Sequence, residues 1–153
     1  MKTVTINSKD YPVYADLDDA TEYFSSVYNS SWGGIDDNDK AKLLVMATRH
    51  IDSVDWRGLP FKPDQKLQFP RMIDGRETDE ELLMSACCEE AAAIYENDGA
   101  AGMNGANGIK SVRVQDTEIQ FKDGKATEEM LLVSDEVARL LGKYMNKGIR
   151  VLY

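Results

Sequence analysis

Apolar residues recur at helical spacing in four separate stretches. Leu17, Ala20, Phe24, Val27 and Tyr28 share one face, with Asp18, Asp19, Glu22 and Ser25 off it and Asp16 at the N-cap position, which predicts a helix over 17–29. Leu44, Ala47, Thr48, Ile51 and Val54 form the stripe of a second helix, running from near Asp37 or Asn38 to about Asp55, with Gly58 beyond it as a stop signal. A third is expected over 79–97, with Leu83, Ala86, Cys87, Glu90 and Ile94 at helical spacing behind a capping box of Thr78 and Glu81. Ser134 caps the last helix, which carries Val137, Leu140, Leu141 and Tyr144 and is closed by Gly148. The period shortens in two places. Residues 3–6 predict a short strand that Pro12 keeps from extending, and Ile109 to Phe121 predicts an antiparallel hairpin around Gln115-Asp116-Thr117. The expected fold class is mainly α: a compact bundle of about four helices with a small β-hairpin, in a single domain over 1–153.

Three stretches fall outside this pattern. Trp56 to Arg71 holds three of the four prolines, one of the two tryptophans and two of the four phenylalanines. Side chains such as Trp56, Leu67 and Phe69 need burial, against the helices of the chain or against a neighbouring subunit. Pro60, Pro63 and Pro70 restrict the backbone, and Arg71 is expected to pair with Asp52 or a neighbour's carboxylate. Trp56, Leu67, Phe69, Pro70 and Arg71 are therefore candidates for a structural loop or a protomer interface. Gly99, Gly102, Gly105 and Gly108 punctuate a flexible loop at 99–108, too short for collagen and without a preceding strand that would make it a phosphate-binding loop. An apolar tail at 148–153, with Ile149, Arg150, Val151, Leu152 and Tyr153, is expected to be tucked away or to add to a partner's sheet edge.

Composition narrows the chemistry. Hydrophobic content of 42% and charged content of 29% are ordinary for a globular chain, and no apolar run approaches the roughly 18 residues that span a bilayer. The opening Met-Lys-Thr-Val-Thr-Ile-Asn-Ser lacks the apolar core of a secretory signal, so a cytoplasmic origin is expected. The net charge of -9 argues against tight non-specific binding to nucleic acid, which depends on lysine and arginine displacing counterions. Much of the acid lies at predicted helix starts, where the helix dipole favours it. Asp36, Asp37 and Asp39 lack the glycine and the terminal acidic residue of a calcium-binding EF-hand loop. Cys87 and Cys88 are adjacent, the wrong spacing for redox or zinc chemistry, and His50 has no companion at ligand spacing. No catalytic residue, metal or cofactor is expected, and no acidic pair is set for general acid–base work.

An ordered set of residues carries a resemblance. Tyr14 is followed by Ala20, Tyr23-Phe24, Trp32, Asp39-Lys40, Leu44, Ala47-Thr48-Arg49 and Ile51-Asp52. Trp56, Gly58, Gln65, Leu67 and Phe69-Pro70-Arg71 come next, then Ala86-Cys87-Cys88-Glu89, Lys110-Ser111, Leu140-Leu141, Tyr144, Gly148 and Val151. In this the chain resembles the head-to-tail connector, or adaptor, proteins of tailed bacteriophages. The resemblance implies a structural virion protein, made in the host cytoplasm, that forms a homo-oligomeric ring, usually twelvefold. Such a ring docks beneath the portal protein, extends the DNA channel and receives a stopper, tail-terminator or tail protein, while duplex DNA passes without tight binding. It implies no membrane partner. Ile149 to Tyr153 become a candidate contact with the portal or a neighbour. The Gly99 to Gly108 loop, which matches no fixed element of that family, is open to lumen lining, portal contact or disorder. Proteins with this pattern are also identified as similar to the primosomal DnaT protein, which implies single-stranded DNA binding as the alternative.

Overall fold

Thr3–Ile6 (β1) and Lys9–Pro12 (β2) pair antiparallel, with Val4 opposite Tyr11. Asn7 and Ser8 between them both take positive φ, 51° and 67°, the hand of turn that matches strand twist in a two-residue hairpin. This is a computed structural model, and it describes residues 1–97 and 132–146.

Four α-helices follow among the described residues: Leu17–Ser25 (α1), Asp37–Asp52 (α2), Glu80–Glu96 (α3) and Asp135–Leu141 (α4). Each start is satisfied by an acid or a hydroxyl. Asp16 and Asp19 form a reciprocal capping box, Asp36 accepts from the Asp39 N–H at 2.8 Å, and Ser134 accepts from the Val137 N–H. The expected Thr78–Glu81 box is displaced by one residue. Asp79 is the N-cap of α3, accepting from the Glu81 N–H, because the Thr78 hydroxyl is already committed to the backbone N–H of Arg71 at 3.0 Å. α1 also stops earlier than its stripe suggests. Ser25 and Ser26 turn back onto the carbonyls of Glu22 and Tyr23, which leaves Val27 and Tyr28 exposed.

A second sheet, absent from the sequence expectation, orders Leu59–Pro60 (β3), Arg71–Ile73 (β4) and Arg76–Glu77 (β5). Asp74 and Gly75, at φ 54° and 79°, turn β4 into β5. Gly58 is not a helix stop. It sits at φ 76° at the start of β3, where a Cβ would stand 2.1 Å from the Met72 carbonyl oxygen, so only glycine lets the two backbones meet. With four α-helices and five strands in two small antiparallel sheets among the described residues, the fold is mixed α and β, and the expected helical bundle is overturned. The predicted hairpin at 109–121, the loop at 99–108 and the tail at 148–153 lie outside the described residues.

The core runs along α2 and α3, with α4 packed on α3 and β1 against α2. Leu44, Ala47, Ile51, Ala86, Cys87, Cys88 and Ile94 are fully buried in it. Glu90 is buried there too. Its Oε2 accepts from His50 Nδ1 at 2.7 Å and from the Val133 N–H at 2.8 Å, and its Oε1 accepts from the Ser134 N–H at 3.1 Å. One carboxyl group thus joins α2, α3 and the start of α4, supplying the bonds that a buried polar group requires.

Candidate functional site

The segment from Trp56 to Arg71 leaves the end of α2 and returns through β4 as an arm with a fixed base. Phe69 is the centre of that base, 5.0 Å from the Trp56 ring and 6.0 Å from those of Tyr14 and Tyr144. The Trp56 indole N–H donates to the Ile51 carbonyl at 2.8 Å. The stretch 143–146 clamps the same base, since Tyr144 accepts from the Arg57 N–H and Asp55 from the Asn146 N–H.

Arg71 does not pair with Asp52. Its guanidinium is buried and donates to the carbonyls of Arg57 at 2.8 Å and Gly58 at 2.7 Å, and to the Gln68 side chain at 2.7 Å. These acceptors belong to both strands of the arm, which makes Arg71 the tie between them. Burial lowers its pKa below the ordinary guanidinium value. Asp52 instead accepts from the Tyr14 hydroxyl and from the Gln68 N–H at 3.3 Å, and the Tyr14 oxygen accepts from the Phe69 N–H at 3.0 Å. Burial raises the pKa of Asp52, against the opposing pull of the Tyr14 and Gln68 donors and of the Arg71 charge. Burial and the Asp52 charge raise that of Tyr14, which keeps its proton and acts as a donor.

Of the residues singled out in this segment, Trp56, Phe69 and Arg71 are thus buried within the chain itself, Leu67 is half-buried, and Pro70, after a cis peptide bond, is exposed. Gly99, Gly102, Gly105, Gly108 and Ile149 to Tyr153 lie outside the described residues. Beyond its base the arm is held by Gln65, which accepts from the Lys62 N–H at 2.9 Å and donates to the carbonyls of Leu67 and Pro70. Its outer face is uncovered: Leu59 is 73% and Phe61 45% exposed, next to the exposed Lys62 and Lys66.

Where the arm returns, Leu67 faces β2 across α2 and a cleft of about 350 Å³ opens between them. Tyr11 and Pro12 form one wall. The floor is the α2 face carrying Val45, Thr48, Arg49, Asp52 and Ser53. Arg49 is exposed and makes no ion pair among the described residues, and the Lys9 ammonium lies 5.4 Å from the Tyr11 ring centroid. The sequence reading missed this cleft, because Tyr11 and Arg49 sit on elements whose apolar pattern says only which residues are buried. The Asn7-Ser8 turn that folds Tyr11 back toward α2 was the one available signal. Among the described residues no cluster of histidine, cysteine and acidic side chains is arranged to hold a metal ion. The thiols of Cys87 and Cys88 are free and buried, with burial pushing that of Cys87 up to about 11.

No curated protein and no solved structure matches the chain. A family model does match it, over residues 5–151, which takes in β2, both strands of the arm, the cleft and α1 to α4. The chain therefore belongs to the family described as "Putative DnaT-like ssDNA binding protein".

Proposed function

We propose that this protein handles DNA by binding single strands. The family match across 5–151 carries this reading. The distribution of charge supports it in one place: Arg57 to Gln68 holds three basic residues and one acidic residue in a chain whose net charge is -9. An aromatic ring beside lysines, as at Phe61 and Lys62, is the kind of surface on which unpaired bases stack while cations follow the backbone. Fluorescence anisotropy with a labelled single-stranded oligonucleotide at low salt tests the reading. Binding that weakens as salt rises and is poorly competed by duplex supports it, and no binding at low salt overturns it.

A second reading, the phage head-to-tail connector, is favoured by two different observations. Leu59 and Phe61 leave apolar surface open on one edge of the arm, a feature that a protein partner would cover. The net charge of -9 also suits a channel wall that duplex DNA slides past without adhering. On this reading the partners are further copies of the chain in a ring, the portal, and a stopper or tail protein, and the location is the virion. Light scattering on the free protein and electron microscopy of particles test it. A protein that stays monomeric at high concentration and is missing from the particle would end it.

A further inference from the structure

We propose that the cleft between β2, α2 and Leu67 is a pocket for one unstacked base of a single-stranded DNA, with the phosphates on either side held at its mouth by Arg49 and Lys9. The inference rests on the single-strand reading and adds where the strand is held. At about 350 Å³ the cleft lies at the lower end of the range for small-molecule sites, about 300–1,000 Å³. That is room for one nucleoside in a cleft open to solvent. Its walls offer what a base requires. The Tyr11 ring is a flat apolar face, and Leu67 stands on the arm side.

Polar groups are available at the right places. The Oδ1 of Asp52 is taken by Tyr14 and Gln68, whereas its Oδ2 has no bond to the described residues and can accept a base N–H. Arg49 lines the same cleft with its guanidinium uncommitted among the described residues. Lys9 is exposed and, among the described residues, its ammonium holds only the Tyr11 ring, which it can leave for a phosphate. Lys9 and Arg49 are exposed whereas Asp52 is half-buried, the order of charge that a nucleotide presents from its phosphate to its base. Lys66, next to Leu67 in the chain, extends the positive charge along the arm.

The test compares wild type with Tyr11→Leu, Arg49→Ala and Arg139→Ala in oligothymidine binding at low salt. Arg139→Ala removes the same charge from the exposed side of α4. Tyr11→Leu and Arg49→Ala should each weaken binding about tenfold, Arg49→Ala should also lower the salt slope by about one, and Arg139→Ala should leave affinity within about twofold. A bromodeoxyuridine-substituted oligonucleotide should crosslink to Tyr11 in wild type. Arg49 is exposed, so its variant remains informative even if Tyr11→Leu folds poorly. If wild type binds while Arg49→Ala binds equally well and crosslinks map elsewhere, the pocket is overturned and the single-strand reading stands. If wild type binds no oligonucleotide at low salt, that reading falls and the pocket with it.

Discussion

Trp56 and Asp52 sit at the base of the arm and make opposite demands on the fold. Trp56 is 5% exposed, packs edge-on against Phe69 and satisfies the Ile51 carbonyl. Trp56→Ala should therefore cost roughly 3–5 kcal/mol in urea unfolding, the range for emptying a large aromatic site. Asp52 is a charge that the fold holds at some cost. Because its pKa is raised, the folded protein takes up its proton before the unfolded chain does, so its contribution to stability improves as pH falls through the carboxylate range. Asp19 behaves in the opposite way: although burial opposes it, the Lys2 ammonium at 2.8 Å and the Asp16 N–H lower its pKa, and its contribution is lost on acidification. Asn at position 52 would keep an acceptor for Tyr14 and Gln68 without the charge. Asp52→Asn should melt at or above wild type at neutral pH, with the difference closing as pH falls through the carboxylate range and Asp52 takes up its proton. A variant several degrees less stable at neutral pH would mean that the charge stabilises the arm.

Elements differ in how openly the sequence declares them. α2 and α3 were legible because burial on one side leaves a stripe such as Leu44, Ala47, Ile51 or Leu83, Cys87, Ile94, and each of these side chains is buried. β2 and β5 were not, because Lys9-Asp10 and Arg76-Glu77 are exposed, charged pairs with no apolar alternation to read. Asp74-Gly75 did carry a turn signal, but it closes strands of three and two residues, too short for a period to emerge. The base of the candidate site was half legible: Trp56 and Phe69 announced burial, whereas the carbonyls that receive Arg71 come together only once the arm has folded. Glu90 is the same kind of case. Its helical spacing put it on the core face, but nothing local named His50, Val133 and Ser134 as its partners. A glutamine there has one acceptor oxygen and an amide that would meet a donor N–H. Glu90→Gln should therefore destabilise the protein by about 1–3 kcal/mol, the cost of leaving a buried polar group unsatisfied. Hydrogen exchange should show the amides of Val133 and Ser134 losing protection first, as α4 loses its tie to α3. Uniform loss across α2 and α3 with α4 unchanged would contradict this role.

At the scale of the whole molecule, the net charge gives the two functional readings opposite dependence on salt. Copies that each carry -9 repel one another, and over a Debye length of about 10 Å at 0.1 M that repulsion is screened, so a ring held by apolar contacts at Leu59 and Phe61 should assemble better as salt rises. Single-strand binding runs the other way. If three to four phosphates are met by Lys9, Arg49, Lys62 and Lys66, affinity should fall about twenty- to fiftyfold between about 50 and 200 mM salt. One salt series, read by light scattering for mass and by anisotropy for oligonucleotide, separates these outcomes. A mass fixed at one chain together with that steep loss of affinity supports single-strand binding over the ring. Mass that climbs with salt, with no oligonucleotide bound at the lowest salt, supports the connector, because an acidic protomer that ignores DNA and gains neighbours as its charge is screened is suited to lining a channel.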